Sequence, residues 1–308
     1  MSKALRTSCG PTPAHSRPPS LPCAWRLLLL LVVALARATA AEPPQRIIST
    51  APSVTEMLYA LGLGDRVAGV TTFCHYPPEV RDKPKIGSYM QPNIETMLAM
   101  QPDLVVILRE HAGLGERIRK VGLTVLELQN NSLASIFISL RELGRRAQVE
   151  DTAEARIAEI EAALKEIRVR AEKLPRRSVM FIVGRTPGVI RDLVVVGRGS
   201  FLNELIAIAG GRNLFSDSAA FYPKIGLEGL YAGLPEVIID MGDMADTDQV
   251  TGEHKRSVAA LWQQYPMIPA VPAGRVYPVS NDIFVVPGPR VVEAAAALLR
   301  MIHPEAAR

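Results

Sequence analysis

From residue 46 the chain alternates short apolar runs with segments of helical period. RIIST (46–50), RVAGV (66–70), DLVVIL (103–108) and TVLEL (124–128) are rich in Val, Ile and Leu and bounded by polar residues, Gly or Pro, which predicts strands. Between them, Ser53-Val54-Thr55-Glu56 has capping-box spacing and predicts a helix that ends at the glycines of LGLGD. Another helix is expected near His111–Val121. Strands apolar on both faces and separated by helices indicate a parallel sheet covered on each side.

The pattern changes between Ser132 and Lys173, where no strand is legible. Ile157, Ile160, Leu164 and Ile167 recur at i, i+3, i+7 and i+10 and define one face of a helix. From Asp151 to Lys173 it would be about 35 Å long at 1.5 Å per residue, ending before Pro175. Such a helix either packs on one domain or acts as a rigid strut between two. Strands resume with SVMFIV (178–183), LVVVG (193–197), EVIID (236–240) and RVYPV (275–279), with helices from Ser200 and from about Pro289.

The second half echoes the first. NIETMLAMQPDLVVI (93–107) matches GLEGLYAGLPEVIID (226–240) at an offset of 133. PSVTEMLYALGLGDR (52–66) matches GSFLNELIAIAGGRN (199–213) at an offset of 147. Two repeats in the same order predict two three-layer α/β lobes with central parallel sheets, bridged by one long α-helix. The ligand cleft would lie between the lobes, where the loops at the C-terminal strand edges face each other. The expected divisions are 1–40 as leader, 41–147 as first lobe, 148–175 as bridge and 176–308 as second lobe.

Charge and cysteine content change meaning once the leader is set aside. Residues 1–40 carry five basic residues and no acid, and include the apolar run LLLLLVVALA and then Ala38-Thr39-Ala40. An apolar core of about 10 residues is too short to span a bilayer, which needs roughly 20, so the segment reads as a cleaved secretory signal. Without those five, 30 of the 35 basic residues remain against 31 acids, so the net charge moves from +4 to about −1 and a nucleic-acid-binding surface is not supported. Cys9 and Cys23 leave with the leader. Cys74 remains, so no intramolecular disulfide is available.

No catalytic motif emerges. The chain lacks GxSxG and HExxH, and Gly197-Arg198-Gly199 reads as a turn rather than a phosphate loop. The loops after the strands are more telling. Phe73, Cys74, His75 and Tyr76 precede two prolines, Tyr89 lies between Gly87 and Pro92, and Arg109-Glu110-His111 follows a strand. Arg185 ends another strand, Phe221-Tyr222 precede Pro223, and Asn281-Asp282 follow the last strand. Aromatic residues make up only 5% of the chain, so their recurrence at loop tips points to a flat organic ligand. An exported two-domain enzyme, with His75 and Asp282 paired across the cleft, is the alternative.

At RIISTAPSVTEMLYALGLGDRVAGVTTFCHYPPEV and PKIGSYMQPNIETMLAMQPDLVVI the chain resembles the helical-backbone solute-binding proteins of ABC importers. Within that cobalamin, haem and iron-siderophore group it is most similar to the vitamin B12-binding members. The resemblance implies a periplasmic, monomeric, non-enzymatic protein that needs no cofactor or resident metal of its own. It would carry a metal chelate, cobalamin first and haem or a ferric siderophore as alternatives, to a permease dimer with its ATPase. It implies corrin contacts at Phe73, Tyr89 and Tyr222, iron ligation by Tyr76, Tyr89 or His75, or anion binding by Arg109 and Arg185. Ser53 and Asp282 complete the ligand-facing set. Glu95 and Glu228 would be the paired acids that meet arginines on the importer. Trp262, the one tryptophan after the leader, is expected in a helix away from these loops.

Overall fold

Every predicted strand forms, and the order of elements follows the sequence pattern. The computed structural model describes residues 42–242 and 252–307; the leader, with Cys9 and Cys23, lies outside them. The first half runs β1 (Ile47–Ser49), α1 (Pro52–Ala60), β2 (Val67–Val70), α2 (Ile94–Ala99), β3 (Leu104–Leu108), α3 (Ala112–Lys120), β4 (Val125–Leu128) and α4 (Leu133–Ala147). Its sheet has the order β2-β1-β3-β4 and is parallel throughout. Successive β1 residues feed different cores: Ile47 packs with α1 and α4, Ile48 with Met97 and Ile118 of α2 and α3. That alternation makes three layers.

The long helix is α5 (Glu150–Ala171), 22 residues and about 33 Å long. Ile157, Ile160, Leu164 and Ile167 are all buried, as their spacing predicts, together with Ala153 and Ala171. This face belongs to a core that continues from β1 in the first half to Ile302 in the second. The described residues from Pro43 onward accordingly form one compact unit. The entry to α5 is tight: a Cβ built on Gly144 of α4 would lie 2.7 Å from the Ala153 Cβ, so a larger residue there would push the two helices apart.

The second half contains β5 (Arg177–Gly184), β6 (Leu193–Val195), α6 (Phe201–Ile208), β7 (Gly211–Asn213), β8 (Lys224–Ile225), α7 (Leu227–Gly233), β9 (Val237–Asp240), α8 (Gly252–Trp262), β10 (Val276–Pro278) and α9 (Val291–Ile302). Its sheet runs β10-β9-β5-β6-β8, with β7 also pairing β5. The centre of this sheet is parallel as expected, with an antiparallel extension at one edge. β5, β7, β9 and β10 are parallel, but β6 and β8 pair antiparallel. The connection 185–192 is too short for a parallel crossover, which needs about a dozen residues, so the chain turns back as a hairpin.

The 133-residue repeat is reproduced in backbone detail. Gln101 and Leu234 both adopt left-handed φ, +47° and +41°, immediately before Pro102 and Pro235. The acid after each proline binds the start of a neighbouring strand. Asp103 accepts the N–H groups of Gln45 (2.6 Å) and Arg46 (3.1 Å), and Glu236 accepts that of Ser178 (2.8 Å). The proline–acid part of the repeat therefore registers helix exit against sheet. Glu95 and Glu228 are exposed in the first turns of α2 and α7.

His303, at the end of α9, is fully buried, and among the described residues neither ring nitrogen has a hydrogen-bond partner. Burial, with Arg177 nearby and Glu305 partly opposing, holds its pKa below the ordinary value. A depressed histidine stabilises the fold above its unfolded pKa, and that stability is lost as pH falls through the folded value. Between about pH 8 and pH 5.5 the wild type should therefore lose stability relative to His303→Leu, as measured by urea midpoints at each pH. Parallel curves would show that His303 does not titrate differently on folding.

Candidate ligand-binding site

The first sheet sends its strand ends into three adjoining loops. After β2, the Thr71–Pro77 segment is anchored by Cys74, which is buried with its sulfur 3.1 Å from Thr55 Oγ1 and 3.2 Å from Thr71 Oγ1. The anchored thiol leaves Phe73 (55% exposed), His75 and Tyr76 facing outward. Tyr89 lies in the next loop, half-buried. Its hydroxyl donates to Glu110, and its ring sits 4.6 Å from that of His111. Arg109, Glu110 and His111 form one 3-10 turn after β3, with Arg109 exposed. Burial and the Glu110 carboxylate push the Tyr89 phenol well above the ordinary tyrosine range.

In the second half, Phe221 and Tyr222 lie across Gly197 and Gly199. Gly197 N–H donates to Phe221 O at 2.8 Å. A Cβ on Gly197 would fall 2.0 Å from Ala220 O, and one on Gly199 would fall 2.6 Å from the Phe221 ring. The glycines of the GRG turn thus allow the Phe221–Tyr222 segment to approach closely. Tyr222 Oη is 3.1 Å from Oγ of Ser200, the N-cap of α6. Burial, and then the charge of Glu110 from the other half, push its phenol upward.

Three predicted ligand groups are turned elsewhere. Arg185 is withdrawn into the second lobe. Its side chain is 3% exposed and its Nε donates to the equally buried Asp240 at 3.0 Å, because an isolated guanidinium there would be costly. Ser53 does not cap α1, whose N-cap is Ala51 with Pro52 in the first turn. Ser53 is buried and its Oγ accepts from Asn130 at 2.8 Å. Glu56, expected to close that capping box, instead receives Arg290, which also holds Asp282. Burial pushes the Glu56 carboxyl up to about 7, with Arg290 opposing. Trp262 is in α8 as expected, buried, its indole donating to Asp240 at 2.7 Å.

Glu110, His111, Ser200 and Arg290 were not picked out by sequence as site residues. The REH triplet after a strand was the available signal for the first two. Arg290 had none, since its partner Glu56 is 234 residues away. Among the described residues, no group of three or more His, Cys, Asp or Glu side chains could hold a metal ion, and no helix is long and apolar enough to cross a membrane.

Residues 47–282 match the family model described as periplasmic binding protein. An ABC transporter substrate-binding lipoprotein of Bacillus subtilis, YvrC, is 29% identical over 275 residues, covering 87% of this chain and 82% of the relative. A vitamin B12-binding protein of Vibrio campbellii is 27% identical over 221 residues, covering 71% and 78%. The crystal structure of a periplasmic haem-binding protein from Pseudomonas aeruginosa superposes with a TM-score of 0.71 at 26% identity, covering 85% of this chain and 93% of that one. These are substrate-binding proteins, so the alternative of an enzyme built on His75 and Asp282 falls away. The match over most of the chain, on two α/β halves joined by one long helix, places it in the periplasmic binding protein family.

Proposed function

We propose that this chain is the exported substrate-binding component of an ABC importer and that it carries a corrinoid. The observation behind the choice of ligand is the use made of the loop arginines. Arg185 is consumed by Asp240, and Arg290 by Glu56 and Asp282, which leaves Arg109 as the exposed arginine among these candidates, next to Glu110 in sequence. The two propionates of haem or a multiply charged anionic siderophore would call for more than one free cation, and would also meet the Glu110 carboxylate. What remains is aromatic surface (Phe73, Tyr89, Tyr222) with neutral hydrogen-bonding hydroxyls, suited to a large, flat, nearly neutral macrocycle. The vitamin B12-binding relative supports the same choice.

Export by the 1–40 leader, delivery as a monomer to a permease with its ATPase, and docking through Glu95 and Glu228 belong to this proposal. Each exposed acid pair would contribute only about 0–1 kcal/mol, so the two set orientation more than affinity. The test is titration of the chain from residue 42 with cyanocobalamin, haemin and a ferric siderophore, followed by absorbance and Trp262 fluorescence. Saturable one-to-one binding of cyanocobalamin, with haemin weaker, is expected. Saturation by haemin alone would replace the corrinoid with haem, and binding of none would sink the transport proposal.

A further inference from the structure

Arg290 ties the two halves of the chain together by charge, beside the hydrophobic core they share. It is the N-cap residue of α9, with a side chain only 10% exposed. Its Nε donates to Glu56 Oε2 at 3.0 Å, and one Nη donates to the other Glu56 oxygen. Its two Nη groups also donate to the Asp282 oxygens at 2.9 and 2.8 Å. The guanidinium carbon lies 4.0 Å from the Tyr76 ring centroid. Glu56 and Tyr76 belong to the first half, Asp282 and Arg290 to the second. A planar guanidinium can serve two carboxylates along its edges and still offer a face to an aromatic ring; an ammonium cannot. With Arg290 removed, the buried Glu56 carboxyl would confront Asp282 and Glu293 with no cation between them.

We propose that Arg290 is a positioning residue for ligand capture, holding the two lobes at binding distance and fixing Tyr76 at the rim before ligand arrives. This rests on taking the space between the aromatic loops as the ligand site. Tyr76 shares its loop with Phe73 and His75. Cys74 pins that loop from inside the first half and Arg290 pins it from the second. A cleft ordered in advance loses less affinity to lobe closure and loop ordering than one that must be assembled on binding. Arg290 acts through Tyr76 and lobe spacing and need not touch the ligand. Tyr76 and Asp282 thereby become parts of the clamp rather than ligand contacts.

Arg290→Met, Arg290→Lys and Glu56→Gln in the chain from residue 42 test this, with cyanocobalamin dissociation followed by stopped flow and unfolding measured in parallel. Dissociation from Arg290→Met should be about tenfold faster or more, with association less affected. Glu56→Gln should act in the same direction, and the Arg290→Met/Glu56→Gln double variant should be no worse than Arg290→Met alone. Arg290→Lys should recover only part of the effect. Unchanged dissociation from folded variants with lowered Tm would reduce Arg290 to a structural role and overturn the proposal. If Arg290→Met does not fold, Glu56→Gln decides by the same rate.

A ligand-independent arm uses spin labels on the exposed positions Lys120→Cys and Gln263→Cys, where Arg290→Met, or Glu56→Gln in its place, should broaden the distance distribution between lobes. An unchanged distribution overturns the clamp even if no ligand binds. A wild type that fails to bind cyanocobalamin, with the distribution broadened in the variant, overturns the corrinoid proposal and leaves the clamp standing.

Discussion

Asp240→Ala is expected to lower the unfolding free energy by about 3–5 kcal/mol, among the largest single-site effects in the molecule. Asp240 ends β9 and is 1% exposed. Its carboxylate accepts the Arg185 Nε at 3.0 Å, the Trp262 indole N–H at 2.7 Å and the backbone N–H of Gly242 at 2.7 Å. Alanine would strand a buried guanidinium and an indole N–H, and groups left unsatisfied in the interior carry their full desolvation cost. At 2–4 °C per kcal/mol for a chain of this size, Tm should fall by roughly 6–20 °C. Arg185→Leu combined with Asp240→Leu should cost much less than the sum of the single changes, because both charges then disappear together. Urea unfolding followed by Trp262 fluorescence measures the set. A loss under about 1 kcal/mol for Asp240→Ala would mean that water reaches Arg185 and that the pair is not sealed.

The second large effect concerns the ligand. Tyr89→Ala and Tyr222→Ala should each weaken cyanocobalamin binding by roughly tenfold, and the double variant by about a hundredfold, if both rings act as independent anchors. The phenylalanine variants separate ring from hydroxyl. Tyr89→Phe removes the bond to Glu110 and Tyr222→Phe the contact with Ser200, yet both keep the flat surface. Affinity within about threefold of wild type is expected for both, since apolar contact area is the main loss in the alanine variants. Equilibrium titration by absorbance is sufficient. If the phenylalanine variants lose as much as the alanine ones, the hydroxyls themselves bind the ligand, and metal ligation of the haem type becomes the better explanation.

Much of the architecture follows from local pattern. Ile157, Ile160, Leu164 and Ile167 could face one way only on a helix, and all are buried in α5. The apolar runs became strands because both faces of each sheet are covered, as Val179 and Met180 of β5 show by packing into different cores. The paired QPD and LPE segments gave the same left-handed residue, proline and strand-binding acid twice. These outcomes depend on spacing, backbone sterics and neighbours close in sequence, which a linear text records.

The destination of charge was settled by the tertiary structure instead. Arg185 looked like a ligand group until Asp240, 55 residues away, enclosed it. Ser53-Val54-Thr55-Glu56 has the spacing of a capping box, but Pro52 starts the helix one residue early, turning Ser53 toward Asn130 and Glu56 toward Arg290. A buried charge must take whatever opposite charge the fold delivers, and that partner is chosen by packing rather than by sequence distance. The chain alone therefore determined its elements, its two-fold internal repeat and the aromatic character of its loops. Only the folded molecule decided which polar groups were left to face a ligand, because only there do desolvation and pairing compete for the same side chains.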